Sequence, residues 1–286
     1  MSATIMTTDR NQLTQSLKAL SLSGMLDSLD NRLGQAADGH LGFQDFLQAL
    51  CLDEINRRDA AALERRTRAA RFESDARFEN YDFTADPGIP AAQIRDLASG
   101  DWIRNGQHLI IAGPVGVGKT HIATALGQVA IQGGQSCRFI TTSRMLADLA
   151  GGNADGSWGR RLRAYTKPDL LILDDFAMRE LTGPQADDLY EIISSRARSS
   201  VIVTTNRAPE DWYPLFPNAV AAESLFDRLV NNAHHLTIQA TSYRAKKRPP
   251  AQPVTSNTDT QVEELPGADP VELRDRRHWP VPPHVV

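Results

Sequence analysis

The sequence predicts an α/β protein, a parallel sheet covered on both faces by helices, preceded by a small all-helical region. Five short apolar runs, at residues 109–112, 137–141, 170–173, 201–206 and 236–238, alternate with segments of helical period. Strands buried on both faces read as such continuous runs. Between the first run and a helix-forming stretch lies Gly113-Pro114-Val115-Gly116-Val117-Gly118-Lys119-Thr120, and the first 70 residues carry leucines at helical spacing.

Leu13, Leu17 and Leu20, then Leu22, Met25, Leu26, Leu29 and Leu33, recur as one face of a helix, with breaks expected near Gly24 and at Gly39 and Gly42. Phe43, Phe46, Leu47, Leu50 and Cys51 repeat the period and lead into an arginine-rich stretch. Arg57, Arg58, Arg65, Arg66, Arg68 and Arg71 stand there against only Asp59 and Glu64. At about 100° per residue, all of them except Arg66 fall within roughly 140°, with Leu52, Ile55 and Leu63 on the far side. One face is expected to pack and the other to meet phosphate, as DNA would supply.

From Phe78 to Pro90 the helical period is lost and turn residues collect, which places a boundary there. The expected division is a helical domain at 1–77, a linker at 78–90, an α/β domain at 91–245 and a Pro-rich tail at 246–286. Half of the 16 prolines fall in that last stretch, behind the basic cluster Arg244, Lys246, Lys247 and Arg248, so a disordered tail is expected.

The glycine-rich turn fits the pattern G-x-x-x-x-G-K-[ST], and its flanks are the strand and helix that the pattern requires. Backbone N–H groups of a tight turn and the positive end of the next helix converge on one spot, which suits phosphate oxygens. The cradle runs from Gly113 to Thr120 and on to His121. Lys119 is expected to reach the β- and γ-phosphates, and the Thr120 hydroxyl to sit on Mg²⁺.

The run at 170–173 ends in Asp174-Asp175, carboxylates emerging from a buried strand. Asp174 is expected to hold Mg²⁺ and Asp175 to orient or deprotonate an attacking water. Asn206 closes the fourth run. If that strand lies beside the first, Asn206 reaches the attacking water or the γ-phosphate.

The net charge of -4 gives no global sign of nucleic-acid binding, so any such contact must come from local patches. No apolar run approaches the roughly 18 residues of a membrane span, and no secretory pattern opens the chain, so a cytoplasmic location is expected. Cys51 and Cys137 are too few for a disulfide framework or a zinc cluster.

Taken in order, the phosphate loop, Leu-Leu-Ile-Leu-Asp-Asp-Phe, Val-Thr-Thr-Asn-Arg and Phe-Asp-Arg-Leu resemble the AAA+ ATPases of the replication-initiator and helicase-loader clade. Within it, the chain is most similar to the IstB-like helper ATPases of insertion sequences. Leu-Ser-Gly-Met-Leu-Asp-Ser-Leu, Phe-Gln-Asp-Phe-Leu-Gln-Ala-Leu and the stretch from Arg65 to Phe72 extend the likeness to the helical region, so that it covers roughly residues 13–248.

The resemblance implies an AAA+ fold with a five-stranded parallel sheet, Asn206 as a first sensor, Arg228 as an arginine finger completing a neighbour's site, and Arg244 as a second sensor. It also implies that 143–163 is the clade's extra helical insertion, with Arg160, Arg161 and Arg163 facing DNA. The implied activity is ATP hydrolysis by a homo-oligomer that assembles with ATP on double-stranded DNA, recruits a transposase and disassembles on hydrolysis. A helicase loader and a nucleotide-gated scaffold with negligible turnover are the alternatives. Asp175 stands where many of these enzymes carry Glu, which implies slow hydrolysis, and the Pro-rich stretch leaves no room for an ordinary helical lid.

Overall fold

The computed structural model describes residues 2–39 and 41–243, with side chains from Arg10 onward. Arg244, the basic cluster that it opens and the tail at 246–286 lie outside the described residues.

Three helices come first: α1 (Ser2–Ala19), α2 (Ser23–Ala37) and α3 (Phe43–Ala70). Leu17, Leu29 and Leu50 form their small core, with Leu22, Met25, Leu26 and Phe46 packed around it. The first break falls at residues 20–22, where Ser21 takes a φ of 57°, and not at Gly24. Gly24 lies inside α2 for reasons of space. A Cβ there would stand 2.8 Å from both the Asp53 carbonyl oxygen and the Glu54 Cα. The glycine, costly in a helix by about 1 kcal/mol, lets two helix backbones touch.

The α3 helix is about 42 Å long at 1.5 Å per residue. Its first half packs on α2, and its end is buried at Ala70 against the sheet. The stretch between has less to cover it. Leu52, Ile55 and Leu63, expected to pack, are 48%, 51% and 37% exposed.

Residues 78–90 do not run as an open connector. A 3₁₀ turn at Phe78–Asn80 begins the stretch. Phe78, Tyr81, Phe83 and Ile89 then pack against the core. Two short helices follow, α4 (Ala91–Leu97) and α5 (Asp101–Arg104), the second a single turn that the sequence reading missed.

The remaining elements are β1 (His108–Ala112), α6 (Lys119–Gln132), β2 (Cys137–Thr141), α7 (Thr142–Asp155), α8 (Trp158–Thr166), β3 (Leu170–Asp174), α9 (Gly183–Ser194), β4 (Ser200–Thr205), α10 (Ala219–Val230) and β5 (Ala233–Thr237). The strands form one parallel sheet in the order β2-β3-β4-β1-β5. Alternate residues feed two cores. Ile110, Leu171, Leu173, Val201 and Val203 face one side with residues of α7, α9 and α10, while Leu109, Ile111, Leu170, Ile172 and Ile202 face the other with α6. Burial of each such side chain contributes about 1.5–3 kcal/mol, and with both faces covered no polar alternation remains to be read.

The edge strand β5 is the exception. It starts at Ala233, three residues before the expected run, because His234 and His235 sit on a half-covered edge and hide the strand from an apolar count. Among the described residues, no helix is long and apolar enough to cross a membrane.

Candidate nucleotide-binding site

The strand order sets β4 between β3 and β1, with Leu173 opposite Val203 and Ala112 opposite Thr205. The carboxyl ends of three strands thus meet at one edge, where α/β sheets bind ligands.

From Ala112 the chain turns into α6 through a loop that only glycine could build. At Gly113 a Cβ would stand 2.5 Å from the carbonyl oxygen of Ile238. Gly118 takes a φ of 94°, and a side chain there would come within 3.3 Å of the Tyr81 ring. The amino end of α6, with its positive dipole, opens on a cavity of about 770 Å³. Val115, Gly116, Val117, Gly118, Lys119, Thr120 and His121 line it, together with Asp174, Asp175 and Asn206. Gly113 and Pro114 lie behind this wall and contribute carbonyls. Lys119, only 7% exposed, donates to Gly113 O at 2.8 Å, to Pro114 O at 2.7 Å and to Asn206 Oδ1. A buried ammonium needs such partners.

At the end of β3, Asp174 is 5% exposed. Its Oδ1 accepts from Thr120 Oγ1 at 2.9 Å and from Thr204 Oγ1 at 2.5 Å. Burial pushes the carboxyl above its ordinary pKa, the two hydroxyls oppose that shift, and the charges of Asp175 and Glu73 add to it. Asp175 sits in the left-handed region at a φ of 53°. Asn206 donates its Nδ2 to the Met178 sulfur at 3.5 Å.

The far wall was not legible in the sequence. It comes from the stretch expected as a linker and from residues after β5, among them Tyr81, Asp86, Thr241 and Tyr243. The two segments are tied together. Asp86 Oδ2 accepts from Thr241 N at 3.0 Å and Thr241 Oγ1 at 2.7 Å, and Gln239 N donates to Gly88 O at 3.1 Å. Tyr243 N donates to Gly116 O at 3.0 Å, which brings the second segment onto the phosphate loop itself. The Tyr81 ring lies 5.2 Å from that of His121, and its hydroxyl is buried with no hydrogen-bond partner among the described residues.

A cradle that a side chain would fill, an ammonium at its back and a hydroxyl beside a carboxylate fit a nucleotide triphosphate. The Thr120 and Asp174 oxygens suit a hard cation such as Mg²⁺.

Arg228 is not in this cavity. It is exposed on α10, its guanidinium 5.9 Å from the centre of the Tyr190 ring on α9. The expected DNA-facing arginines divide. Arg57 and Arg58 both bond Glu54, at 2.9 and 2.6 Å. Glu54 is 4% exposed, also accepts from Gly24 N, and is held down to a pKa of about 2, first by Arg57. Arg68 pairs with Glu64, while Arg65 and Arg71 are exposed. On the insertion, Arg161 donates to Ser157, Asp148 and Asp155 and closes the turn between α7 and α8. Arg160 and Arg163 are exposed, and Lys167 lies on the same face of the chain just past α8.

This fold and this loop define a P-loop protein of the AAA+ type. The chain belongs to the family described as IstB-like ATP binding protein, which it matches over residues 15–251. It is 58% identical, over 83% of its length and 95% of the relative's, to a Mycobacterium tuberculosis protein named for an ATP-binding role in an insertion sequence. A Pseudomonas aeruginosa protein named for that role in insertion sequence IS21 is 30% identical over 87% of this chain and 94% of its own. The crystal structure of the DnaC helicase loader superposes on 58% of the chain and 97% of its own at a TM-score of 0.51 and 21% identity, a likeness of fold alone.

Proposed function

We propose that the protein is an ATP-dependent switch of an insertion sequence: with ATP bound it assembles on duplex DNA, recruits the transposase, and disassembles on hydrolysis. The observation that carries this reading is the division of the site. The phosphate loop, Asp174, Asp175 and Asn206 share one cavity, while Arg228 stands outside it on an exposed face.

In this reading Lys119 and the loop amides hold the triphosphate, and Thr120 and Asp174 would hold Mg²⁺, which would supply charge neutralisation during phosphoryl transfer. Asp175 and Asn206 orient the attacking water, and the short Asp175 side chain makes hydrolysis slow. Arg228 enters a neighbour's cavity, where a guanidinium stabilises the charge developing on the γ-phosphate. Hydrolysis then depends on assembly. Arg160, Arg163 and Lys167, with Arg65 and Arg71, are exposed and are the cations offered to DNA phosphate, so binding is salt-sensitive and weakly sequence-selective. The M. tuberculosis and P. aeruginosa relatives, both named for insertion sequences, support the biological setting.

The test measures ATP hydrolysis with and without duplex DNA, and DNA binding by the wild type and Lys119→Ala. Stimulation by duplex, and binding lost in the variant, are expected. A hydrolysis rate indifferent to DNA, together with intact binding by Lys119→Ala, refutes the reading. Preference for single-stranded over duplex DNA in competition favours a helicase loader instead.

A further inference from the structure

Thr204 is one of three buried polar residues of β4, with Ser200 and Thr205, and is itself fully buried at 0% exposure. A buried hydroxyl costs free energy unless it is bonded, and this one is bonded twice. It donates to Asp174 Oδ1 at 2.5 Å and accepts from the backbone N–H of Asp175 at 3.1 Å. A hydroxyl has one proton, so with that proton on Asp174 the Asp175 amide meets a lone pair. The same residue's carbonyl accepts from Phe176 N at 2.8 Å. Thr204 thus fixes three consecutive residues of the neighbouring strand's end, Asp175 among them in its left-handed conformation.

The end of the strand carries the device further. Asn206 stands just past the end of β4 and bonds Lys119. One strand end therefore sets both halves of the site, the acids through Thr204 and the ammonium through Asn206. Thr205 between them bonds the backbone of Arg207.

We propose that Thr204 is a positioning residue for the metal-holding and water-orienting acids. It presents Asp174 with one oxygen fixed and turns Asp175 toward the cavity, without itself touching nucleotide. The inference rests on the reading of Asp174 as the Mg²⁺-holding acid. Loss of such an outer partner typically costs roughly 10- to 100-fold in metal affinity or activity.

Thr204→Val keeps the volume and branching of the side chain and removes the hydroxyl, and Thr204→Ser keeps the hydroxyl. Full-length variants are titrated with Mg²⁺ in the presence of a fluorescent, non-hydrolysable ATP analogue, and turnover is measured separately, with thermal melting as the control for folding. Thr204→Val is expected to need roughly 10-fold more Mg²⁺ for half-saturation and to lose at least that much in turnover. Its binding of the analogue in EDTA is expected to match the wild type's, and Thr204→Ser is expected to restore both values to within a few-fold.

Wild-type Mg²⁺ dependence in Thr204→Val overturns the proposal. So does equal impairment of the two variants in step with their melting temperatures, which marks a packing role alone. If the wild type binds the analogue with no dependence on Mg²⁺, or Asp174→Asn leaves that dependence unchanged, the reading of Asp174 fails first, a result distinct from failure of Thr204.

Discussion

The carboxyl edge of the sheet and the basic face of α3 are both rich in charge, yet the structure treats them in opposite ways. At the sheet edge the polar groups are held by one another: Lys119 by two carbonyls and Asn206, Asp174 by two threonines, the Asp175 backbone N–H by one of them. On α3 the arginines share a face by spacing but not a role. Arg57 and Arg58 are spent on a buried glutamate, and Arg65 is exposed. In a desolvated site the partner discloses what a residue does; on a helix surface a charge count cannot tell a strut from a free hand.

The largest test of this contrast lies with Arg228, proposed for a neighbour's site and standing outside the cavity. Arg228→Ala is expected to lower hydrolysis at high protein concentration by about 10³, the low end for an arginine finger, while nucleotide binding stays unchanged in an equilibrium titration. Next, Lys119→Ala is expected to weaken ATP binding about 100-fold, equal to two lost hydrogen bonds to a charged group at about 1.5 kcal/mol each.

The buried carboxylate of α3 sharpens the other side. With its folded pKa held to about 2, against an ordinary value of 4.5, Glu54 contributes stability that is fully present above pH 4.5 and is lost as pH falls towards 2. Acid unfolding of the helical region followed by circular dichroism is expected to shift to higher pH in Arg57→Ala, the variant that removes the main cause of the shift. Loss of DNA affinity in that variant with unchanged acid unfolding would return Arg57 to the DNA face.

The smallest effect is expected at Arg160 and Arg163. Replacing either with Ala should reduce the slope of log K against log salt by about 1 and weaken binding to all duplex sequences alike.

Much of this was legible in the chain. Strands β1 to β4 declared themselves because burial on both faces leaves unbroken apolar runs, and the loop and acids stood at their ends. The β5 register was obscured by two histidines on an edge. Gly24 read as a helix break because sequence shows a missing side chain and not the backbone that fills its place. The pairing of Arg57 and Arg58 with Glu54, three and four residues away on one helix, follows the ordinary rule for helical neighbours and was within reach. The far wall of the cavity was not, since Asp86 gains its meaning only from Thr241, 155 positions later.

The hydrogen bond from Tyr243 to Gly116 makes the phosphate loop an anchorage for the segment that follows β5. Tension that reaches Tyr243 acts on Gly116 before it acts on β5, so a pull on this segment is a way of addressing the nucleotide site.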